Sequence, residues 1–298
     1  MKLLVVGSIA LDNIQTPFGN EKRSLGGSAI FTSMVSNNFC QTGLVGIVGE
    51  DFPKEYIELL SNNNIDLKDL SIVPGKTFHW SGKYDNFNTA ETIVTDLNVF
   101  ANFNPILNWE NKQSEYLFLG NIDPILQLKV LDQMENVKIT ACDTMNYWIM
   151  RSRENLLKVI KKVDFLFINE EELRMLTKEQ NIFQAADEAL KMGSKHIIVK
   201  RGEYGSFIYT ADFIFFMPVF PVKKVIDPTG AGDSFAGGFM GFLASEGKYD
   251  ELSIKKAMIY GTITASFCVE SFSIKRIKEL TLSDILNRKQ EIEKKIFL

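Results

Sequence analysis

The chain is poor in the residues that form disulfides and zinc sites. Among its 298 residues there are only three cysteines and two histidines. Cys40, Cys142 and Cys268 are far apart in the sequence and odd in number, so neither a disulfide framework nor a zinc site is indicated. Few cysteines are typical of a protein from a reducing compartment, and we therefore expect a cytoplasmic protein.

Long apolar runs and an excess of basic charge are also absent. The apolar run at the N-terminus meets Gly7 and Asp12 too soon for a signal peptide, and nothing approaches the roughly 18 apolar residues of a membrane span. The chain has 33 basic and 37 acidic side chains, mixed along its length, and a formal net charge of −4. This balance offers no basic surface to a polynucleotide. We expect neither a membrane nor a nucleic acid as a partner.

Short β-prone runs alternate with helical patterns along the chain. This alternation predicts an α/β fold with a mostly parallel sheet, covered by helices on both faces, in one domain over residues 1–298. The runs are 3–6, 44–48, 116–119, 139–142, 165–168 and 197–199. Most of them end at polar or glycine-containing corners. Ligands of such sheets bind beyond the carboxyl ends of the strands, so these corners are the first place to look for a site.

Three segments do not follow this alternation. Residues 77–84 alternate in character and place Phe78, Trp80 and Tyr84 on one face. Another β-prone run, 92–100, follows a turn. Together with residues 14–22, these runs predict a small sheet that projects from the main domain, or else an extra hairpin at its edge.

The strongest chemical signal is the run Asp-Pro-Thr-Gly-Ala-Gly-Asp at residues 227–233, which leads into an apolar helix. Small residues let backbone amides point toward one place, and the start of a helix adds a positive dipole end. Gly230, Ala231 and Gly232 are therefore predicted to form an anion hole. An acid at its rim opposes anion binding but suits proton removal from an attacking hydroxyl, which makes Asp233 the candidate base.

The simpler interpretation of this run is a turn with Asp233 as a helix cap. It does not account for the three small residues before Asp233 or for the Gly237-Gly238 pair after it. Each glycine inside a helix costs roughly 1 kcal/mol relative to alanine, so these glycines predict that something approaches the helix closely.

The run resembles the signature of the PfkB/ribokinase family of carbohydrate and nucleoside kinases, and the resemblance extends over nearly the whole chain. Gly26-Gly27-Ser28-Ala29 resembles the family's second signature region. The resemblance implies a ribokinase-like three-layer α/β/α domain with a small β-sheet lid, here formed by about 13–24 and 76–104. One face of the lid would cover the acceptor or pack against a second copy in a homodimer.

The resemblance also implies the acceptor site. Gly26 and Gly27 would line this site and act as the hinge of the lid. Asp12 stands where the family binds two vicinal hydroxyls, although an aspartate after a strand is more often a surface or turn residue. Some relatives that act on sugar acids place an arginine where this chain has Trp148, so a neutral acceptor is favoured.

The nucleotide and metal positions are carried over in the same way. Asn169 and Glu172 match a motif that organises Mg²⁺ and phosphates through water, although they also suit an ordinary charged helix start. The segment with Lys200, Gly202 and Gly205 is similar to one that lies against the nucleotide, although an ordinary turn is an alternative. Two further positions lie just before the anion hole. Thr229 is expected to bind the nucleotide, and Asp227 and Thr229 are expected to surround a K⁺ ion.

These observations predict an ATP-dependent phosphotransferase that acts on a hydroxyl group of a small sugar or polyol. ATP and Mg²⁺ are its expected cofactors, and K⁺ is a candidate activator. A nucleoside kinase of the same fold and a non-catalytic sugar- or nucleotide-binding regulator are the alternatives. A Rossmann dehydrogenase is disfavoured because the first strand is not followed by G-x-G-x-x-G, and no Walker lysine motif occurs.

Overall fold

The structure is a computed structural model that describes residues 2–86 and 89–296. The strands are β1 (Leu3–Val6), β2 (Ala10–Thr16), β3 (Gly19–Gly26), β4 (Thr42–Gly49), β5 (Asp66–Val73), β6 (Phe78–Asn86), β7 (Thr89–Asp96), β8 (Tyr116–Leu119), β9 (Ile139–Asp143), β10 (Phe165–Asn169), β11 (His196–Lys200), β12 (Ser206–Tyr209) and β13 (Ile214–Met217). The α-helices are α1 (Ser28–Ser36), α2 (Lys54–Asn62), α3 (Trp109–Lys112), α4 (Pro124–Leu131), α5 (Asn146–Arg151), α6 (Arg153–Ile160), α7 (Glu170–Thr177), α8 (Ile182–Lys191), α9 (Ala231–Glu246), α10 (Glu251–Cys268) and α11 (Leu282–Ile296). Short 3₁₀ turns lie at Asn98–Asn102, Gly202–Tyr204 and Ile277–Glu279.

The main sheet of the described chain has nine strands in the order β13-β12-β11-β10-β9-β8-β1-β4-β5. The pairings from β11 through to β5 are parallel, and β12 and β13 add antiparallel pairs at one edge. All six strands expected from the sequence are present. Sequence reasoning missed β5, β12 and β13, which lie at the two edges of the sheet.

Both faces of the main sheet are buried under helices. Leu3 and Val5 of β1 pack into one core cluster with residues of α1, α2, α9, α10 and α11. The alternate residues, Leu4 and Val6, pack into a second cluster with residues of α4, α5, α6, α7 and α8. Successive side chains of a strand point to opposite faces, so these two clusters confirm the expected three layers.

A separate four-stranded sheet has the order β3-β2-β6-β7. Its hairpins β2-β3 and β6-β7 are antiparallel, and β2 pairs with β6 in parallel. The small sheet begins at Ala10, so Asp12 and Gly26 lie within it. The segment after Asp96 forms a 3₁₀ turn whose Val99 and whose neighbour Phe103 pack into the core of the main domain.

The glycines of α9 let neighbouring helices pack against it. A Cβ atom on Gly238 would lie 2.2 Å from the Thr264 hydroxyl and 2.7 Å from the Tyr260 carbonyl oxygen of α10. A Cβ atom on Gly237 would lie 2.7 Å from the Thr32 carbonyl oxygen of α1. The close approach expected from the glycine pair is therefore made by the backbones of two buried helices. Among the described residues, no helix combines the length and hydropathy needed to cross a membrane.

Candidate active site

Three charged or polar side chains meet where neighbouring parallel strands end. Asp143, Asn169 and Lys200 are the last residues of β9, β10 and β11, and Asn169 pairs in register with Lys200. Lys200 Nζ forms an ion pair of 2.7 Å with Asp143 Oδ2, and both side chains are largely buried. Burial disfavours the charge of Lys200, but Asp143 and Glu172 outweigh this effect and raise its pKa above the ordinary value. The edge of the sheet therefore carries a fixed, ionised lysine.

The turn before α9 is held from inside by Asp227, whose side chain is fully buried. Its Oδ1 accepts a hydrogen bond of 2.9 Å from the Thr229 N–H, and its Oδ2 accepts one of 2.9 Å from the Ser273 N–H. Gly230 then adopts φ +77°, and a Cβ atom there would lie 2.4 Å from the Phe31 ring. Both the left-handed backbone and the ring exclude other residues at this position.

Several backbone N–H groups at the start of α9 have no acceptor among the described residues. The Ala231 N–H donates to the Pro228 carbonyl oxygen at 3.1 Å, so it is already used within the turn. No residue in the described ranges accepts a hydrogen bond from the N–H of Gly232 or of Asp233. The same holds for the N–H of Gly230, so two of the three residues expected to form the anion hole, Gly230 and Gly232, keep a free amide, and Asp233 adds a third. These free amides are the groups that the turn could offer to an anion.

Asp233 lies at the rim of this turn, in the first helical turn of α9. Its carbonyl oxygen accepts a hydrogen bond of 3.1 Å from the Thr32 hydroxyl, which ties α9 to α1. Burial and then the Asp143 carboxylate raise the pKa of Asp233 to about 7, whereas Lys200 opposes the shift. A carboxylate with a pKa near neutrality can both take and return a proton, as a general base requires.

Asp12 brings a second carboxylate to the same region from strand β2. Its side chain is 3% exposed, and its Oδ1 has no hydrogen-bond partner. Burial, with the charges of Asp227 and Asp233, raises the pKa of Asp12 to about 8. A buried carboxylate oxygen without a donor is costly, so Asp12 Oδ1 is free to accept a hydrogen bond from a group outside the chain.

The two consecutive glycines serve different purposes. A Cβ atom on Gly26 would lie 1.9 Å from Asp12 Oδ2, so the absence of a side chain makes room for the carboxylate. Gly27 has φ +97° and precedes α1. Ser28, the first residue of α1, exchanges hydrogen bonds of 3.1 Å with Ser8: each hydroxyl accepts from the other residue's N–H. The start of α1 is thereby fixed beside the end of β1.

Asn169 and Glu172 form a capping box at the start of α7. Asn169 Oδ1 accepts from the Glu172 N–H at 2.8 Å, and Glu172 Oε2 accepts from the Asn169 N–H at 3.0 Å. Burial, with the charge of Asp143, raises the pKa of Glu172 to about 7, and Lys200 opposes this. One oxygen of each side chain is thus used by the helix start. In the described chain no three His, Cys, Asp or Glu side chains are grouped to bind a metal directly.

These observations fit Mg²⁺ bound through water but do not fit a dedicated protein cage. Mg²⁺ prefers oxygen ligands and keeps several waters. The second carboxylate oxygen of Glu172 is left for such a water. Asn169 and Glu172 can therefore cap the helix and also organise the waters of a metal ion.

The expected nucleotide segment begins at Lys200. A Cβ atom on Gly232 would lie 3.0 Å from Lys200 Nζ, so the ammonium group lies directly over the start of α9. Gly202 and Gly205 both have positive φ, of +55° and +82°. A Cβ atom on Gly205 would lie 2.4 Å from the Met217 carbonyl oxygen, so the need for glycine there comes from the end of β13. Of this segment, Lys200 is the residue that the fold brings to the anion hole.

Sequence reasoning missed several residues that shape the site. Asp143 is the last residue of a strand at the predicted edge of the sheet, and this position was the sequence signal that could have identified it. Tyr84 reaches the Thr229 hydroxyl across the gap between the two sheets, at 3.2 Å. The Ser273 N–H, 46 residues from Asp227 in sequence, had no local signal.

The three aromatic side chains expected on one face of β6 make separate contacts. Phe78 stacks on Phe100 with ring centroids 5.4 Å apart, and the Trp80 indole N–H donates to the Thr92 hydroxyl at 3.3 Å. Both contacts lie within the chain, whereas Tyr84 is buried against the anion-hole turn.

Comparison with known proteins gives a consistent result. The chain is 31% identical over 247 residues to cytidine kinase of Thermococcus kodakarensis, covering 80% of this chain and 87% of that protein. It is 29% identical to nucleoside kinase of Methanocaldococcus jannaschii, over 91% of both chains. The crystal structure of the Methanocaldococcus jannaschii nucleoside kinase, described as an archaeal member of the ribokinase family, superposes with a TM-score of 0.80 at 26% identity, over 98% of this chain and 99% of that one.

A sequence model described as pfkB family carbohydrate kinase matches residues 2–278, nearly the whole chain. Family, fold and the turn before α9 agree, and the non-catalytic alternative loses its support. The chain belongs to the PfkB family of carbohydrate and nucleoside kinases and is a phosphotransferase.

Proposed function

We propose that this kinase transfers the γ-phosphoryl group of ATP to a primary hydroxyl of a nucleoside. The observation that carries the proposal is Asp12, a buried carboxylate with an unpartnered Oδ1. A carboxylate accepts hydrogen bonds from two vicinal hydroxyls, and the ribose of a nucleoside supplies such a pair. The charge of Asp233 contributes to the raised pKa of Asp12, so the two carboxylates lie near each other.

Asp233 acts as the base in this proposal. Its carboxylate takes the proton of the acceptor's primary hydroxyl as the oxygen attacks the γ-phosphorus, and the bond from that phosphorus to the ADP oxygen breaks. The transition state of phosphoryl transfer is loose, so a weak base in the correct position is sufficient. The free N–H groups of Gly232 and Asp233 face the charge that develops on the phosphoryl oxygens.

Lys200 supplies the positive charge on the nucleotide side. In the structure its ammonium group is paired with Asp143 and lies over the start of α9. A phosphate in the anion hole would share this lysine with Asp143. Mg²⁺, when bound, would neutralise phosphate charge, and Asn169 and Glu172 are the residues that would hold its waters.

The choice of a nucleoside over a free sugar rests on the relatives. The two curated relatives described above are a cytidine kinase and a nucleoside kinase. Trp148 stands where some relatives that act on sugar acids have an arginine, and its indole N–H donates to Asn121 Oδ1 at 2.9 Å. An aromatic ring and an amide fixed in this way carry no positive charge that would attract a sugar acid. Both are suited to contact with an uncharged nucleobase. A free sugar or polyol, which Asp12 would also bind, is the second candidate.

An acceptor screen tests the proposal. Cytidine, uridine, adenosine, inosine, ribose and fructose are each incubated with MgATP, and acceptor-dependent ADP release is measured. We expect kcat/KM for the best nucleoside to exceed that for ribose by roughly 10² or more, because the nucleobase adds binding energy that ribose lacks. Fructose or ribose as the best acceptor would show the second candidate to be correct.

A matched pair of substrates tests the role of Asp12 itself. The 2′-deoxy form of the best nucleoside lacks one of the two hydroxyls, so its kcat/KM should fall by about 10- to 100-fold in the wild-type enzyme. The Asp12→Asn variant should discriminate much less between the two forms. Equal discrimination in both enzymes would remove Asp12 from the diol site.

A further inference from the structure

Tyr84 makes the side-chain contact that joins the small sheet to the anion-hole turn. It lies in β6, and its hydroxyl oxygen accepts a hydrogen bond of 3.2 Å from the Thr229 hydroxyl. The Tyr84 side chain is 9% exposed, whereas its neighbours Asp85 and Asn86 are exposed. The ring therefore points into the space between the small sheet and the main domain.

The strand is irregular at this residue. The register between β6 and β7 shifts between Ser81 and Gly82, and again between Lys83 and Asn86, an interval that contains Tyr84. The last pair between β6 and β2 is Gln15 with Lys83, immediately before it. Bulges bend a strand and change the direction of a side chain, and they are frequent beside active sites. The local geometry thus turns Tyr84 out of the ladder and toward Thr229.

Thr229 is held by the main domain through its backbone and by the small sheet through its side chain. Its N–H donates to Asp227 Oδ1 at 2.9 Å, and its carbonyl oxygen accepts from Cys268 Sγ at 3.3 Å. Its hydroxyl is the group left for Tyr84. Gly230 follows, and the free amides of α9 come next. A movement of β6 would therefore act on the turn at Thr229.

The Tyr84 hydroxyl needs a hydrogen-bond partner because its side chain is buried. In the described chain, Thr229 is the group bonded to the Tyr84 hydroxyl. Phenylalanine would bury the same ring and would leave the Thr229 hydroxyl without this acceptor. Burial and the charges of Asp227 and Asp12 raise the pKa of Tyr84, so the phenol stays neutral and the contact is a bond between two hydroxyls.

We propose that Tyr84 is a positioning residue that couples the small sheet to the anion-hole turn through Thr229. When the small sheet covers the acceptor, the hydrogen bond holds the turn in the arrangement that receives the phosphoryl group. When the sheet opens, the turn loses this support. Phosphoryl transfer thereby depends on an acceptor in place, and transfer to water is suppressed. The inference rests on the proposed phosphoryl transfer from ATP.

Tyr84→Phe tests the coupling, with Tyr209→Phe as the control. Tyr209 lies in β12 near the far edge of the main sheet, away from the turn. We expect Tyr84→Phe to lower kcat about tenfold, the scale of one lost hydrogen bond, with the KM for ATP within about twofold of wild type. The ratio of ATP hydrolysis to acceptor phosphorylation should rise. Unchanged kcat and an unchanged ratio, as in the control, would overturn the proposal.

A double-mutant cycle distinguishes action through Thr229 from direct contact with substrate. Thr229→Ser keeps the hydroxyl and should retain the sensitivity to Tyr84→Phe. In a Thr229→Val background, Tyr84→Phe should cause little further loss of kcat, because the bond is already absent. The coupling would be refuted if the kcat losses of the two single variants multiplied in the double variant. It would also be refuted if Tyr84→Phe changed only the acceptor KM.

A measurement without any substrate keeps the inference separate from the proposed acceptor. In the ligand-free enzyme, Tyr84→Phe should speed amide hydrogen exchange in β6 and in residues 227–233 relative to wild type and Tyr209→Phe. Failure of every nucleoside in the screen would overturn the acceptor assignment and leave this result standing. Unchanged exchange in both segments would count against the contact itself.

Discussion

Replacement of Asp12 by asparagine should stabilise the enzyme while it weakens acceptor binding. The pKa of Asp12 is raised from an ordinary value of 3.8 to about 8, and the residue is 3% exposed. The folded state then holds a proton that the unfolded state has released between these two pH values. The folded protein binds more protons than the unfolded one, so the free energy of unfolding falls as pH rises across this window.

The size of the effect follows from the pKa shift. Each pH unit within the window costs at most about 1.4 kcal/mol, so the penalty is about 3 kcal/mol at pH 6 and about 6 kcal/mol at pH 8. Asparagine has nearly the same shape and no charge to lose. The variant should therefore exceed wild type in unfolding free energy by a margin that grows by at most about 3 kcal/mol from pH 6 to pH 8.

Thermal unfolding at several pH values is the assay. For a chain of this size, 1 kcal/mol corresponds to roughly 2 °C, so the difference in Tm should widen by up to about 6 °C. Asp212→Asn, which removes an exposed carboxylate, is the control and should give a small, pH-independent difference. In kinetics, the acceptor KM of Asp12→Asn should rise about 10- to 100-fold and that of ATP should stay unchanged. A difference in Tm that does not depend on pH would refute the electrostatic argument.

Asp233→Asn should keep the fold and MgATP binding and lower kcat by roughly 10² or more, and near-normal turnover would remove its role as base. The pKa of Asp233, raised to about 7, predicts that wild-type kcat/KM falls as pH decreases below about 7, because protonation removes the base. A flat pH–rate profile from pH 5 to 9 would contradict this. Gly238→Ala should lower the unfolding free energy by about 1–3 kcal/mol because the added Cβ clashes with Thr264, and urea titration measures this loss. Gly247→Ala is the control, because Gly247 has open space around it and the substitution adds only backbone strain. K⁺ should raise kcat relative to a bulky organic cation if Asp227 and Thr229 surround an ion, and equal rates would argue against such a site.

The class of fold was predictable from the sequence alone, and so was the position of the turn that we propose as the phosphate site. Strand runs such as 165–168 are fully apolar because both faces of a parallel sheet are buried, and this pattern is local. The anion-hole turn is also local, since its small residues and its acid lie within seven positions, 227–233. The edge strand β5 escaped detection because it is largely half-exposed or exposed and carries several charges, so it lacks that apolar pattern.

Tertiary structure decided which amides of the turn are free and what holds the turn in place. The Ala231 N–H is used by Pro228, which no residue pattern signals. The Ser273 N–H and the Tyr84 hydroxyl reach the turn from 46 and 145 residues away. Asp12 becomes a buried, unpartnered carboxylate only when β2 folds over the main domain. Hydrogen bonds and desolvation depend on distances in space, so the sequence could propose these residues but could not assign their partners.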